Sequence, residues 1–388
     1  MGLLPQSKLK MIPDLLEREG YDAWIILSRE HSYDLLGADF GLHPIGDYAA
    51  VFDRDGRRLA LTDNYFAPSL RAAGIFEVTQ FVESDYLAEL EKFVKTYDGR
   101  KVAVDISYEY SVAGGLSSSL FRELKRILPG SIFISSENIM MELRAVLDQE
   151  EQANVRKAIR LTEEILHEVE LNFLHVGMTE SQLFLETQKL VRQRTDGFAW
   201  HEIVNPLLII GDSDIFETGS IESKKKIEAG DLVNIDLGVL YRGYVSDITY
   251  TYLVGGGRSV EPEKIRLFET VRGAKDAAKE ALKEGVTGAS IDRVARDYII
   301  KNKLPPYDHV LGHVMSRVAH EIGPLLAPPW PRYGKKTSVP LRAGMVMTVE
   351  PSVFVKGLGT VLMEDNVLIT KNGYEDLSSP QKELIVLP

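Results

Sequence analysis

Apolar residues recur at helical spacing over residues 8–19, where Leu9, Ile12, Leu15 and Leu16 share a face and Gly20 ends the run. The period then shortens to that of strands, with one over 23–27 and another after the irregular, Gly-rich stretch HSYDLLGADFGLHPIGDY. Strands near 58–62, 77–82, 101–105 and 131–135 alternate with helical patterns at 66–73, 85–97 and 115–127. That order predicts a mixed sheet with helices packed on it. From MELRAVLDQEEQANVRKAI onward the pattern changes, and a stripe of Val155, Ile159, Ile165, Leu166, Val169 and Phe173 marks a long helix over 150–174. Further helices are expected at 179–195, 262–284 and 288–301, with two apolar hairpins around the last pair. The chain therefore reads as α/β in the broad, α+β sense. A domain boundary falls near MELRAVLDQEEQANVRKAI. The histidines near these elements (His31, His43, His167 and His175) fall in loops or beside the core stripe and are assigned no chemistry.

The two hairpins carry the unusual residues. In GDLVNIDLGVLYRGYVSDITYTYLV, apolar, β-branched and aromatic runs flank Tyr241-Arg242-Gly243, and Asp236 and Asp247 are symmetric about Tyr241-Arg242. Pairing in that register sets them opposite each other on one face, where two like charges about 5 Å apart are destabilising. A pair of divalent cations would answer the repulsion, and two unrelated acids on a wet face fit this hairpin equally well. In MVMTVEPSVFVKGLGTVLMEDNVLIT, Glu350 and Glu364 are symmetric about Gly357. Each interrupts a run too apolar for a solvated face, and buried carboxylates need a partner or a metal. Between the hairpins, LGHVMSRVAHE places His313 and His320 among apolar neighbours. Four acids and one imidazole form an oxygen-rich donor set suited to Mn²⁺, Co²⁺ or Fe²⁺, with Zn²⁺ also accommodated.

Composition narrows the partners. The 388 residues suffice for two domains, and 26% charged with 44% hydrophobic residues is the balance of a soluble globular protein. A formal charge of −12 without a basic block, Lys224-Lys225-Lys226 being the longest lysine run, argues against nucleic acid or an anionic membrane as partner. The absence of cysteine is compatible with a reducing cytosol, and a cytoplasmic location is expected. The first twenty residues show no apolar core of a signal peptide, and no apolar run approaches a membrane span.

NIDLGV, SDITYTY, GHVMSRVAHE, TVEPSV and MEDNVLIT, in this order and spacing, resemble the pita-bread metallopeptidases, which include methionine aminopeptidase, Xaa-Pro aminopeptidase and prolidase. The amino-terminal part resembles the creatinase/prolidase amino-terminal domain, so the resemblance covers nearly the whole chain and implies a smaller α/β domain over 1–146, followed over 147–388 by a pita-bread catalytic domain with helices outside a curved antiparallel sheet. It implies a dinuclear metal-dependent hydrolase, an Xaa-Pro dipeptidase or aminopeptidase in the broad sense, that uses a metal-bridging hydroxide. Asp236 would chelate one ion, Asp247 and Glu364 would bridge, and His313 with Glu350 would complete the other. Glu350 would also serve as general base, and His320 would hydrogen-bond the substrate or tetrahedral intermediate. The resemblance further implies a homodimer, with the SYDLLGADF loop closing over a neighbouring subunit's site.

Several positions depart from the family pattern. Where proline-specific relatives carry a substrate-contacting histidine ahead of the first metal aspartate, this chain has Thr218 and Gly219. His201, in FAWHEIVNP, is a candidate replacement, and Asp214 or Glu217 could face the pocket instead. Val314 stands where the family has glycine, and Leu362 and Tyr250 stand where it has arginines. The metal shell is thus intact while the substrate shell differs. Two further readings follow: hydrolysis of a non-peptide C–N bond in a small metabolite, and a non-catalytic binding protein of the same fold, which ordinarily lacks some of these ligands.

Overall fold

The computed structural model describes residues 3–30, 36–42, 46–82, 85–215, 223–257 and 260–388. His31, His43, Glu217, Thr218 and Gly219, and residues 32–35 of the SYDLLGADF loop, lie outside these ranges. The chain divides into two compact units, Met1–Leu143 and Arg144–Pro388.

The first unit opens with α1 (Gln6–Glu19), whose Leu9, Ile12, Leu15 and Leu16 are buried and whose end is capped by left-handed Gly20. Its sheet comprises β1 (Ala23–Ser28), β2 (Tyr48–Asp53), β3 (Arg58–Asp63), β4 (Glu77–Phe81), β5 (Lys101–Val104) and β6 (Ile132–Ser135), ordered β4-β3-β2-β1-β5-β6. β1, β2 and β3 pair antiparallel, while β4, β5 and β6 join in parallel, so the expected mixed sheet is present. Helices α2 (Ala67–Ala73), α3 (Tyr86–Val94) and α4 (Ser118–Ile127) connect the strands, and α5 (Glu137–Arg144) closes the unit. α3 is shorter than the 85–97 pattern because residues 95–97 tighten into a 3₁₀ turn.

The second unit begins with α6 (Gln149–Asn172), which a capping box starts: Asp148 accepts from the first-turn amides and Glu151 reaches back to the Asp148 amide. Its buried stripe of Val155, Ile159, Ile165, Leu166 and Val169 is the one the sequence predicts. His167 and His175, beside that stripe, are both exposed. α7 (Glu180–Arg194) follows, started by a Thr179–Gln182 capping box. β7 (Gly197–Phe198), β8 (Leu207–Ile210), β9 (Leu232–Leu237), β10 (Val239–Tyr241), β11 (Tyr244–Val245) and β12 (Ile248–Val254) then carry the first hairpin. After α8 (Pro262–Glu280) and α9 (Gly288–Lys301) come β13 (Gly312–His313), β14 (Leu325–Leu326), β15 (Val346–Val349), β16 (Ser352–Val355), β17 (Gly359–Leu362), β18 (Asp365–Ile369), β19 (Tyr374–Asp376) and β20 (Ile385–Leu387).

These strands form several short ladders rather than one continuous sheet. Those nearest the site are β20-β12-β9-β8, β15-β18-β19 and β16-β17, joined by isolated bridges at Thr249–Glu364 and Val314–Met347. All pairings are antiparallel except β12 with β20, which is parallel. Residues of α6, α7, β8, β9 and β12 share a core, so the strands bearing the acids rest on a rigid apolar base. No described helix is long and apolar enough to cross a membrane.

Candidate metal centre

The first hairpin is set by its turn. Arg242 (φ 48°) and Gly243 (φ 82°) both take positive φ, the geometry of a two-residue type I′ connection that matches strand twist. Tyr241 pairs with Tyr244, Leu240 with Val245, Leu237 with Ile248 and Asp236 with Thr249. The expected rung between Asp236 and Asp247 is therefore corrected, because the turn lies on Arg242-Gly243 and not on Tyr241-Arg242. Asp247 falls two residues short of Thr249 and hence diagonal to Asp236 on the same face, still within side-chain reach. The two carboxyl groups interact, which lowers Asp236 and raises Asp247. Gly238, between the two strands, admits no side chain: a Cβ there would lie 2.2 Å from the Trp200 ring and 2.5 Å from the Ser246 carbonyl.

The second hairpin keeps the symmetry its sequence predicts. Val349 pairs with Asp365 on one side and Ser352 with Leu362 on the other, leaving Glu350 and Glu364 level with each other where the ladder opens. The Glu364 amide there turns to the Thr249 carbonyl, which ties the two hairpins together. His313 arrives on β13. Gly312 makes this approach possible, since a Cβ at Gly312 would lie 2.0 Å from the Thr348 carbonyl oxygen. The Thr348 hydroxyl accepts from the His313 amide at 3.0 Å and donates to Glu350 Oε1 at 3.2 Å. A single hydroxyl thereby ties the His313 backbone to the Glu350 carboxyl.

All five residues converge. His313 Nε2 lies 3.3 Å from Glu350 Oε1 and 3.7 Å from Asp247 Oδ2. Donor atoms of Asp247, His313 and Glu364 fall within 4.8 Å of one another, a spacing at which one ion can touch all three. His313 Nδ1 lies 3.3 Å from the Val314 carbonyl; with its proton there, Nε2 presents a lone pair to the acids. Thr249 donates to Glu364 Oε2 at 3.0 Å. Among the described residues, Glu364 Oε1 and Asp236 Oδ1, both buried, have no hydrogen-bond partner.

The electrostatics have one cause in common. Burial first, and the neighbouring carboxylates after it, push Asp247 and Glu364 well above the carboxylate range and Glu350 up to about 8. Burial alone raises Asp236, to about 7, against hydrogen bonds from Asp247 and Thr249 that lower it. Burial acts oppositely on His313 and, with the nearby His320, lowers it to about 3, so the imidazole is neutral. Four acids that resist ionisation, a neutral imidazole and two orphaned oxygens make a donor set that a divalent cation would complete.

The remaining candidates are dispersed. His320 meets the His313 ring edge-on at 4.4 Å and reaches solvent at the rim. Crowding of its ring, then Lys336, holds its pKa below the ordinary value. His201 is exposed, and its Nδ1 accepts locally from the Ile203 amide at 3.3 Å. Asp214 lines a cavity of about 280 Å³ with Tyr307, His309, Ser352 and Phe354. Val314 is fully buried, with its side chain against Gly323. Tyr250 donates its hydroxyl to the Ser379 carbonyl, and Leu362 is buried.

Sequence reasoning passes over His309, whose Nε2 lies 2.6 Å from the Ser352 hydroxyl and whose Nδ1 lies 2.6 Å from the Val310 carbonyl. Its position four residues before His313 was the available signal. Also unread is Glu321, held by Nε and Nη2 of buried Arg144 and by Ser316, which fixes the residue next to His320.

A donor set of this kind, on paired antiparallel hairpins, is suited to divalent metal. The profile of Metallopeptidase family M24 matches residues 153–371, and that of the Creatinase/Prolidase N-terminal domain matches residues 8–146. The chain belongs to metallopeptidase family M24. It is similar to the Xaa-Pro dipeptidase of Pyrococcus horikoshii, 27% identical over 381 residues, 98% of this chain and 99% of that protein. The Xaa-Pro dipeptidase of Pyrococcus furiosus is 29% identical over 346 residues, 89% and 91% of the two chains. Among solved structures, the X-Pro aminopeptidase of Thermotoga maritima superimposes with a TM-score of 0.77 at 25% identity, covering 97% of this chain and 99% of that one.

Proposed function

We propose that this chain hydrolyses the bond preceding proline in short peptides, Xaa-Pro dipeptides first, with two divalent cations held by Asp236, Asp247, His313, Glu350 and Glu364. One observation carries the metal assignment: the unpartnered, buried oxygens of Asp236 and Glu364 sit in a cluster whose other members are raised carboxylates and a neutral imidazole. The choice of peptide substrate is supported by the relatives named above, two of which bear the name Xaa-Pro dipeptidase.

Bound there, the cations would lower the pKa of a shared water and polarise the scissile carbonyl. Glu350, with Oε1 held by Thr348, takes the water's proton and passes it to the leaving nitrogen. His320, beside His313 and open to solvent, donates to the oxyanion. His201 remains a proposed substrate contact, reaching the pocket only by leaving its local cap.

Mn²⁺ or Co²⁺ fits the four-carboxylate, one-imidazole set best, with Zn²⁺ third. A homodimer in the cytoplasm is part of the same reading, supported by the absence of cysteine and by the family's domain organisation. The apolar Leu362 and the tied-back Tyr250 favour keeping a second reading, hydrolysis of a non-peptide C–N bond. A screen of Xaa-Pro dipeptides, longer Xaa-Pro peptides and cyclic or amidino metabolites, run with Mn²⁺ and with Co²⁺, separates the two. Turnover confined to the metabolites would overturn the peptide assignment.

A further inference from the structure

Glu364 and Asp365 are consecutive acids at the start of β18, and only one of them can face the centre. Neighbouring strand residues point to opposite faces, so a one-residue slip would exchange them. The structure shows what occupies the other face. Lys275 and Lys279, four residues apart on α8, lie on one side of that helix. Lys275 Nζ is 2.6 Å from Asp365 Oδ1, and Lys279 Nζ is 2.6 Å from Asp365 Oδ2. Lys279 also reaches Asp376 Oδ1 at 2.6 Å, with the Tyr374 ring 5.6 Å away. The Lys275, Lys279 and Asp365 side chains are 1–3% exposed.

Two buried ammoniums on one carboxylate are a costly arrangement, because each loses its hydration. Such networks contribute little net stability beside apolar substitutes, and their better-attested role is to fix register. Here the register matters chemically: Asp365 pairs with Val349, and the next level of the hairpin holds Glu350 and Glu364. We infer that Lys275 and Lys279 are positioning residues for the metal centre, capturing Asp365 on the α8 side so that Glu364 faces Asp247 and His313. This rests on the proposed metal-binding reading and goes beyond it, since neither lysine touches substrate or ion.

The test is Mn²⁺ affinity of the folded, full-length protein, measured by titration calorimetry beside its metal-free unfolding midpoint. The Lys275→Met/Lys279→Met variant leaves Asp365 uncaptured and should bind Mn²⁺ at least ten-fold more weakly. Adding Asp365→Leu removes the competing acid and should return affinity to within three-fold of wild type; affinity that merely tracks the metal-free unfolding midpoint from variant to variant marks a structural role and overturns the inference. Affinity in the double variant within three-fold of wild type, or a triple variant as weak as the double, overturns the inference. If the double variant does not fold, Lys279→Met alone keeps one ammonium on Asp365 and should weaken binding at least three-fold; unchanged affinity there overturns it equally. A wild-type protein that takes up no Mn²⁺ instead defeats the metal-binding reading itself.

Discussion

A cluster of buried carboxylates must be neutralised, by protons or by cations. Two unit charges about 4 Å apart repel by about 4 kcal/mol at an effective dielectric constant near 20, so four acids cannot all ionise here unaided. With divalent metal removed, protons must do the work, which sets a pH dependence. An acid whose folded pKa lies above its unfolded value stabilises the fold at low pH and loses that contribution as pH rises to the folded pKa. For Glu350 and Asp236 the loss ends near pH 8 and pH 7 respectively. His313, lowered to about 3, acts in the opposite sense, but only below its unfolded pKa of about 6.5. Between pH 6.5 and 8 the acids therefore act alone. Denaturant unfolding of chelator-treated protein should show stability falling by about 2 kcal/mol across that window from Glu350, and added Mn²⁺ should abolish the slope. Stability that rises or stays level over that range would contradict the assignment. Glu350→Ala should lower turnover of an Xaa-Pro dipeptide by about 10³-fold or more, and activity within ten-fold of wild type would remove it as the proton carrier. His320→Ala should cost about 10²-fold in kcat with metal content intact, whereas loss of metal would make it a ligand. The acids and His313 were legible because charge in an apolar run needs a reason. His309 was not, since its partner Ser352 is far away in sequence and only the fold brings them together.

At the scale of elements, the centre depends on how closely strands approach. Thr348 links His313 to Glu350, and Gly312 lets β13 come down on β15. Gly312→Ala should cost about 1–3 kcal/mol of stability, as overpacking does, and also weaken Mn²⁺ binding by moving His313. Wild-type Mn²⁺ affinity in a destabilised Gly312→Ala protein would separate packing from ligand placement. The two hairpins also show how far a strand pattern can be read. Gly357 centred the second correctly, because its apolar runs leave one symmetric register. In the first, Tyr241 resembles a turn flank as much as a strand end, and the left-handed Arg242 that moves the turn is a conformation composition does not announce. Helix bodies were legible from their stripes, whereas the ends of α3 and α8 stopped short of the pattern where local turns took over. The lysine pair on α8 was in view as an i, i+4 spacing, but nothing in the sequence joins it to Asp365, 86 residues beyond Lys279.

At the scale of the molecule, each unit has its own buried apolar core, and the second alone contains the five converging residues. The change from alternating strands and helices to one long helix and two hairpins was visible in the periodicity. The parallel pairing of β20 with β12 was not, because a three-residue strand at the end of the chain carries too little pattern to declare its partner. Nor could spacing alone establish convergence, since Asp236 and Glu364 stand 128 residues apart. The whole account turns on whether those donors hold metal. Crystals soaked in Mn²⁺ and measured for anomalous scattering should show two peaks roughly 3.5–4 Å apart, bracketed by the carboxylates of Asp236, Asp247, Glu350 and Glu364 with His313 Nε2 on one of them. No peak among these side chains, or peaks only elsewhere on the surface, would contradict it.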